Sequence, residues 1–241
     1  MTTETGAVQR TLRERLERVR GRVGEAARRA GRDPREVTLV GVSKTHPAAS
    51  VGEAYEAGLR DFGENRVQEA DGKIEELNSS TRGARWHLIG HLQSNKARRA
   101  ARLFDLIHTV DSAALARKLE RACEEDGRAR LDVLIQVDLA GEETKSGARA
   151  DELPALADAF KEFGRVRCVG LMTLPPYFEE VERVRPYFRR LRELRDELRA
   201  GGLFGDSRGE LSMGMSHDFE AAIEEGATLA RVGTAIFGER G

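Results

Sequence analysis

The stretch GELSMGMSHDFEAAIEEGATLARVG, residues 209–233, contains two short apolar runs on either side of a charged segment. The runs at 209–216 and 228–233 have the length and composition of buried strands. Between them, DFEAAIEEG has helix-forming residues and closes on a glycine, which is a common residue at a helix end. The stretch therefore predicts a strand, a helix and a second strand that runs parallel to the first.

The same alternation of strand and helix continues through the rest of the chain and favours an α/β fold, a single (β/α)8 TIM barrel. A doubly wound open sheet is the main alternative, but it usually has fewer strands and a glycine-rich first turn. No G-x-G-x-x-G motif occurs in this sequence. The predicted strands are residues 37–44, 61–66, 86–92, 106–112, 131–139, 167–174, 209–216 and 228–233.

An extra helix is predicted before the first strand. Apolar residues recur there at spacings of three and four, and Gly31 and Pro34 follow as a natural stop. No linker, low-complexity stretch or fixed-period repeat divides the chain, so we expect one domain over residues 1–241. The apolar stripe of the predicted helix is formed by Val8, Leu12, Leu16, Val19, Val23 and Ala27.

The composition excludes several classes of protein. The 241 residues carry 40 Lys and Arg against 41 Asp and Glu, a net charge of −1, so a general nucleic-acid binder is not expected. Cys123 and Cys168 lack metal-ligand spacing and are expected to be reduced and buried. We find neither a signal peptide nor an apolar run long enough to cross a membrane, which predicts a cytoplasmic protein.

Lys44 is the first candidate for chemistry, because it ends the first predicted strand in a chain with only six lysines. In a (β/α)8 barrel the active site lies where the strands end. Lys44 shares a strand face with Val42, Val40 and Thr38, which suit a barrel interior, so its side chain should face the mouth. A partly desolvated lysine has a lowered pKa, and its neutral amine attacks carbonyl groups. The alternative is a lysine that reaches into solvent.

The ends of the last two strands predict a phosphate site. Barrels often bind phosphate at the loops after these strands. Ser216 and Thr234 offer hydroxyl groups, and Gly233 allows backbone N–H groups to approach a ligand closely. Two ordinary turns rich in small residues are the alternative. A lysine that faces a phosphate site indicates a phosphorylated aldehyde, and pyridoxal 5'-phosphate is the leading candidate.

Two further groups of residues are placed near the barrel axis. Arg231 shares a strand face with Gly233, so it should also face the mouth, where it would keep the pyridine nitrogen of such a cofactor unprotonated. The alternative is an arginine paired with a carboxylate of the barrel. His87 and His91 share a face of the third strand, where packing or mouth polarity is expected rather than a metal pair, because no third ligand has a convincing spacing.

Several segments together resemble the pyridoxal phosphate homeostasis protein family, which is similar to the N-terminal barrel of alanine racemases. The resemblance covers nearly the whole chain and implies a fold-type III pyridoxal phosphate barrel without the C-terminal β-domain of the racemases. The segments are LVGVSKTHP, FGENRVQE, WHLIGHLQSNK, HTVDS, GLMTLPP and LSMGMSHDFEAAIEEGATLARVGTAIFGER.

The resemblance also implies roles for individual residues. It places the cofactor as a Schiff base on Lys44 and Arg231 near the pyridine nitrogen. The loop AGEETKSG carries a second lysine, Lys145, which is expected to be exposed, with contact to the cofactor as the alternative. The resemblance further implies that Asn65 contacts the ring, that Ser216, Gly233 and Thr234 bind the phosphate, and that Met213 lies close by.

What the resemblance implies for function is a protein that binds pyridoxal phosphate and helps to maintain the vitamin B6 pool, not an ordinary enzyme. Racemisation also needs a second base opposite the lysine. The barrel uses almost the whole chain, and Tyr177 is the only one of three tyrosines predicted near the mouth. A low-activity amino-acid racemase is one alternative function, and a phosphate-binding barrel in which Lys44 serves only as a charge is another. Apo forms of pyridoxal phosphate enzymes are possible partners, nucleic acid and membrane are not expected, and the protein is expected to be a monomer or a weak dimer.

Overall fold

The computed structural model describes residues 11–141 and 146–239, and it has the expected barrel architecture. Eight parallel strands close in the order β1 to β8, and β8 pairs with β1 through Thr38 opposite Leu229. The (β/α)8 prediction is therefore confirmed. The strands are β1 Thr38–Val42, β2 Asp61–Glu64, β3 Arg85–Leu88, β4 Leu106–Val110, β5 Leu131–Gln136, β6 Val166–Met172, β7 Glu210–Ser212 and β8 Leu229–Val232.

Helices cover the outside of this barrel. In the described residues there are nine α-helices, one of them before β1 and the last after β8. Short 3-10 segments join several of the connections. The helices are α1 Leu12–Arg29, α2 Ala48–Glu56, α3 Val67–Leu77, α4 Ala97–Leu103, α5 Ala113–Glu125, α6 Leu153–Phe160, α7 Arg185–Ala200, α8 Phe219–Glu224 and α9 Thr234–Phe237.

The strands are shorter than the apolar runs predicted, and most of the difference is at their carboxyl ends. The first strand stops at Val42 rather than residue 44, and the seventh stops at Ser212 rather than residue 216. The residues beyond these ends leave the hydrogen-bonded ladder and form the loops of the mouth. An apolar run in the sequence therefore marks the strand together with the loop that follows it.

Helix α1 confirms the predicted extra helix. Thr11 and Glu14 form a capping box at its start, and Gly31, with φ of 67°, follows its end. The helix packs on α8 and α9, and Arg22 forms an ion pair of 2.8 Å with Glu220. The predicted stripe is buried from Leu12 onward, whereas Val8 lies outside the described residues.

The barrel wall separates two apolar regions. The larger core lies between the strands and the helices, and a small interior cluster is formed by Val40, Leu106, Leu134, Met172 and Leu229. Cys123 and Cys168 are buried and unpaired, as predicted. Among the described helices, none is long and apolar enough to cross a membrane.

Candidate functional site

A cavity of about 330 Å³ opens at the carboxyl ends of the strands. It brings together six of the seven predicted site residues: Lys44, Asn65, Ser216, Arg231, Gly233 and Thr234. Sequence reasoning missed the other residues of its wall. They are Val42, His46, Ile89, Leu174, Met215 and His217.

Lys44 reaches this cavity because of the alternation along β1. Val40 is fully buried inside the barrel, and Val42 lines the cavity above it. Lys44 comes two residues later on the same face and is half-buried. The predicted position of Lys44 at the mouth therefore agrees with the structure.

The backbone on the amino side of Lys44 is held by a buried ion cluster behind the strand. The Nζ of Lys73, on α3, donates to the carbonyl oxygen of Ser43 at 2.7 Å and to Oε1 of Glu64 at 2.7 Å. The hydroxyl of Ser43 donates to the same Glu64 oxygen at 2.6 Å. Burial raises the pKa of Glu64, and the bonds from Lys73 and Ser43 oppose that increase. We call Ser43, Glu64, Glu69 and Lys73 the α3 clamp.

The backbone on the other side of Lys44 is held by the same clamp. The N–H of Thr45 donates to Oε1 of Glu69 at 2.5 Å, and Lys73 pairs with that carboxylate at 2.8 Å. Thr45 has φ of 68°, a left-handed conformation that is unfavourable for a β-branched residue. Burial alone would raise the pKa of Glu69, but the bonds from Lys73 and Thr45 outweigh burial and lower the pKa. The backbone of Lys44 is thus held on both sides.

The loops after β7 and β8 meet at the hydroxyl of Ser216. The backbone N–H groups of Gly233 and Ala235 lie 3.2 and 3.4 Å from its Oγ, and the hydroxyl of Thr234 lies at 3.3 Å. Three donors from one loop therefore converge on one oxygen of the other. This arrangement can hold the oxygens of a phosphate group.

Gly214 makes the turn from β7 toward Ser216 possible. Its φ is 89°, and a Cβ there would lie 2.5 Å from Cβ of Ala222 and 2.9 Å from Cα of Phe219. Asp218 then accepts the N–H of Met215 at 2.6 Å and closes the turn. Burial raises the pKa of Asp218, and the bond from Met215 opposes that rise.

Arg231 lines the floor of the cavity and is only 3% exposed. Its guanidinium donates to Oγ of Ser212 and, at 2.9 Å, to the carbonyl oxygen of Thr173. Burial lowers the pKa of Arg231 to about 10, and the charge of Asp218 opposes this shift. Both hydrogen-bond partners are neutral, so the alternative of a paired carboxylate does not describe these bonds.

A chain of buried polar side chains continues below Arg231 along the barrel axis. Ser212 Oγ lies 2.8 Å from Nδ1 of His108, whose Nε2 lies 2.9 Å from Nδ1 of His87. The Nε2 of His87 lies 3.0 Å from Oδ1 of Asp61, at the start of β2. We call Asp61, His87, His108 and Ser212 the axial chain. Sequence reasoning missed it, because its members come from four different strands.

The two histidines predicted on one face of the third strand are separated in the structure. His87 is buried in the axial chain, whereas β3 ends before His91, which is half-exposed and lies 3.7 Å from Asp111. No group of three or more His, Cys, Asp and Glu residues in the described ranges could hold a metal ion.

Met213 does not reach the cavity, which corrects its predicted position near the ligand. Ser212 faces the barrel interior, so the next residue along β7 faces the helices, and Met213 is fully buried in the outer core. Met215, two residues further on, lines the cavity instead. Residues two apart along a strand face the same side. Met215 could therefore have been identified if the inward-facing residues of β7 had been predicted correctly.

The remaining candidates lie at the rim. Asn65 is placed by Gly90, where a Cβ would lie 2.3 Å from the carbonyl oxygen of Asn65. Tyr177 is 71% exposed, and its ring lies 5.2 Å from the ring of His217. Lys145 lies outside the described residues.

A larger cavity of about 570 Å³ lies at the opposite, amino end of the barrel. Several of its charged residues pair with carboxylates: Arg130 with Asp132 at 2.7 Å, and Arg85 with Asp61 at 3.5 Å. The mouth lies at the carboxyl ends of the strands and combines Lys44 and Arg231 with a group of convergent donors. We therefore take the smaller cavity as the functional site.

Comparisons with known proteins identify the family of the chain. The family model of the alanine racemase N-terminal domain matches residues 15–241. The pyridoxal phosphate homeostasis protein of Aquifex aeolicus is 47% identical over 227 residues, which make up 94% of this chain and 97% of that protein. The protein of the same name from Escherichia coli K12 is 43% identical over 93% of this chain and 95% of its own length.

The chain belongs to the pyridoxal phosphate homeostasis protein family. This confirms the resemblance seen in the sequence. A solved member of similar structure is PipY of Synechococcus elongatus with pyridoxal phosphate bound, at a TM-score of 0.80 and 41% identity. The match covers 95% of this chain and 100% of PipY.

The family barrel is also shared with larger enzymes. An alanine racemase of Clostridium difficile matches with a TM-score of 0.70 at 15% identity, and the match covers 95% of this chain but 56% of the racemase. At this identity the likeness concerns the fold alone. It confirms the predicted relation to the racemase barrel.

The residues of the mouth fit the cofactor that the family name implies. Lys44 offers an amine for an aldehyde, and the donors around Ser216 offer a site for a phosphate. Arg231 offers a cation on the cavity floor. A Cβ at Gly233 would lie 3.3 Å from the carbonyl oxygen of Val42, so the ends of β8 and β1 approach closely at the cavity wall.

Proposed function

We propose that this protein binds pyridoxal 5'-phosphate and takes part in the homeostasis of that cofactor. The observation that carries the proposal is one cavity in which Lys44 faces the donors that converge on Ser216. Relatives at 43–47% identity bear the name pyridoxal phosphate homeostasis protein, which supports the same function. The bound cofactor supplies a reactive aldehyde, and the protein supplies the groups that hold it.

Six residues of the cavity have a role in this proposal. Lys44 would supply the amine for a Schiff base with the aldehyde, since its side chain lies in the same cavity as the donors around Ser216. Ser216, Gly233 and Thr234 would hold the phosphate, and Asn65 would contact the ring. Arg231 would face the pyridine nitrogen and keep it unprotonated, because two adjacent cations repel each other.

We also propose that the protein holds its cofactor without turning over a substrate. A racemase needs a second base on the face of the cofactor opposite the lysine. Tyr177 lies against His217 at the rim and is largely exposed, while Tyr55 donates to the carbonyl of Arg82 and Tyr187 packs on Phe178. None of these positions supports a tyrosine base. A low-activity racemase is the second candidate, favoured by the shared barrel.

The remaining parts of the proposal concern where the protein works and with what. We propose a cytoplasmic protein, a monomer or weak dimer, that releases the cofactor to apo forms of pyridoxal phosphate enzymes. A free aldehyde reacts with other molecules more readily than one bound to a carrier, which is the physical reason for such a role.

The test combines absorbance with reduction of the Schiff base. The purified protein mixed with pyridoxal 5'-phosphate is expected to show a visible imine band, and borohydride followed by mass spectrometry should place the cofactor on Lys44. Lys44→Ala should lose both signals. Lys118→Ala, which removes an exposed lysine of α5, should keep both.

Two results would contradict the proposal. A Lys44→Ala variant that keeps the imine band would exclude Lys44 as the attachment residue. Amino-acid racemase turnover at an ordinary rate, on the order of 1 per second or more, would replace the carrier with an enzyme.

A further inference from the structure

The axial chain connects the floor of the cofactor cavity to the opposite end of the barrel. Ser212, His87 and His108 have no exposed surface, and the Asp61 side chain is 15% exposed. At the amino end Asp61 pairs with Arg85 at 3.5 Å, and Arg85 lines the 570 Å³ cavity there. A buried polar chain of this kind is costly unless every member is hydrogen-bonded, and here each member has a partner on both sides.

When both histidines are neutral, the Asp61 carboxylate fixes the direction of every hydrogen bond in the chain. An ionised Asp61 only accepts, so the Nε2 of His87 must carry a proton and donate to it. The Nδ1 of neutral His87 then accepts from the Nε2–H of His108. The Nδ1 of His108 must in turn accept from the hydroxyl of Ser212, whose oxygen accepts from Arg231.

The directions of these hydrogen bonds also require that His108 does not take up a second proton. Burial lowers the pKa of His108 well below its usual range, and the charges of Arg231 and Arg85 lower it further. The acidic member of the chain, Asp61, contacts His87 rather than His108. The neutral state of His108 is thus fixed by the groups that face it.

We propose that Asp61, His87, His108 and Ser212 are positioning residues for Arg231, forming a one-way hydrogen-bond relay that is anchored at the far end of the barrel. The relay keeps the Ser212 oxygen as an acceptor, and Thr173 accepts a second guanidinium N–H. Arg231 is thereby held in one orientation at the cavity floor. The inference rests on the proposed function only for the identity of the ligand that Arg231 faces.

Through the relay, the charge of Asp61 at the amino end of the barrel controls how Arg231 is held at the mouth. Any change that removes the negative charge of Asp61 frees the tautomers of both histidines. The hydroxyl of Ser212 can then turn away from His108, and the acceptor that holds Arg231 is no longer fixed. A substitution at one end of the barrel should therefore be detected at the other.

The first test uses nitrogen-15 NMR of the ligand-free protein. We expect His87 and His108 to appear as neutral Nε2–H tautomers, and the Arg231 guanidinium N–H signals to be sharp. In Asp61→Asn the amide both donates and accepts, so the tautomers should become mixed and the Arg231 signals should broaden. Asp132→Asn changes a carboxylate near the same end of the barrel that pairs with Arg130, and both sets of signals should stay as in the parent protein.

The second test uses Ser212→Ala, a small change that removes only the hydroxyl between His108 and Arg231. The Arg231 signals should broaden as in Asp61→Asn, and the dissociation constant for pyridoxal 5'-phosphate should rise about tenfold in both variants but not in Asp132→Asn. A single Nε2–H tautomer retained in Asp61→Asn, or sharp Arg231 signals in Ser212→Ala, would overturn the relay. If the parent protein does not bind pyridoxal 5'-phosphate, the proposed function fails, and the NMR signals still decide the relay.

Discussion

At the scale of single residues, Lys44 depends on side chains that never enter the cavity. Of its two neighbours in the chain, Ser43 belongs to the α3 clamp and Thr45 donates to it. Lys73 bonds to the other three residues of the clamp. The side chain of Lys73 is 8% exposed and that of Glu64 is fully buried. Removing one partner of a buried ion pair leaves a charge without compensation.

Lys73→Met is expected to destabilise the protein by about 3–5 kcal/mol, because it leaves the Glu64 carboxylate buried and unpaired. Urea denaturation of the ligand-free protein measures this change. The double variant Lys73→Met with Glu64→Gln should recover part of the loss, since the amide carries no charge.

Lys161→Met is the matched control, because Lys161 pairs with Asp158 on the exposed surface and its loss should change stability little. Equal losses of stability in Lys73→Met and in the control would show that the α3 clamp stabilises the protein no more than an exposed ion pair does. A double variant no more stable than Lys73→Met would show that Glu64 and Lys73 are not coupled.

The alternation of side chains along a strand explains which residues could be predicted. It placed Lys44 and Arg231 at the mouth, because their strand neighbours have a clear apolar pattern. It did not separate Met213 from Met215, because the run GELSMGMS does not show which of its residues face inward; the place of Met213 near the ligand came from the family resemblance. The α3 clamp and the axial chain were not predicted, since their contacts join strands and helices that are distant in the sequence.

At the scale of elements, the site depends on two loops that meet at the hydroxyl of Ser216. The loop after β7 reaches that point only by turning at Gly214, where neighbouring atoms leave no room for a Cβ. The backbone N–H of Arg231 also donates to the carbonyl of Gly214, at 3.0 Å. The turn at Gly214 therefore fixes both the loop that carries Ser216 and the backbone from which the Arg231 side chain starts.

Gly214→Ala should destabilise the protein and weaken the binding of pyridoxal 5'-phosphate. A Cβ in a left-handed conformation costs about 1–2 kcal/mol, and the overlap with Ala222 and Phe219 should add about 1–3 kcal/mol. Thermal denaturation and cofactor titration measure the two effects.

Gly202→Ala separates the two costs. Gly202 has φ of 82°, but a Cβ added there would meet no atom within 4 Å, so only the conformational cost applies. Its cofactor affinity should equal that of the parent protein. If Gly214→Ala binds the cofactor as tightly as Gly202→Ala does, the turn at Gly214 does not position the phosphate loop.

At the scale of the whole molecule, the barrel was predictable because its signal is repeated. Eight alternations of strand and helix give the fold even when single boundaries are wrong by a few residues, as they are at the ends of β1 and β7. Barrel closure then brings β8 beside β1 and so brings Arg231 near Lys44. The polar chain along the barrel axis has no repeated signal, and only the closed structure reveals it.

The buried histidine gives the whole molecule a pH dependence. The pKa of His108 is lowered in the folded state, whereas the unfolded chain takes up a proton near the usual pKa of about 6.5. Its contribution to stability is therefore present above about pH 6.5 and is lost as the pH falls. The free energy of unfolding should fall by up to about 1.4 kcal/mol per pH unit from this group alone.

Urea denaturation of the parent protein and of His108→Gln between pH 7 and pH 5 isolates that contribution. Glu64 and Asp218 have raised pKa values and act in the opposite direction, but they are present in both proteins and cancel in the difference. The parent protein should lose stability more steeply with acid than the variant does. Equal slopes would mean that His108 takes up its proton while folded.

Helix α1 cannot complete its packing until the end of the chain has been synthesised. Its Arg22 pairs with Glu220, which lies 198 residues later in the chain. At a synthesis rate of about 5–20 residues per second, the segment around Glu220 is made roughly 10–40 s after α1. The apolar stripe of α1 is uncovered for that time. During that interval the stripe is a surface that chaperones can bind, so the cell must protect this barrel until its last strand emerges.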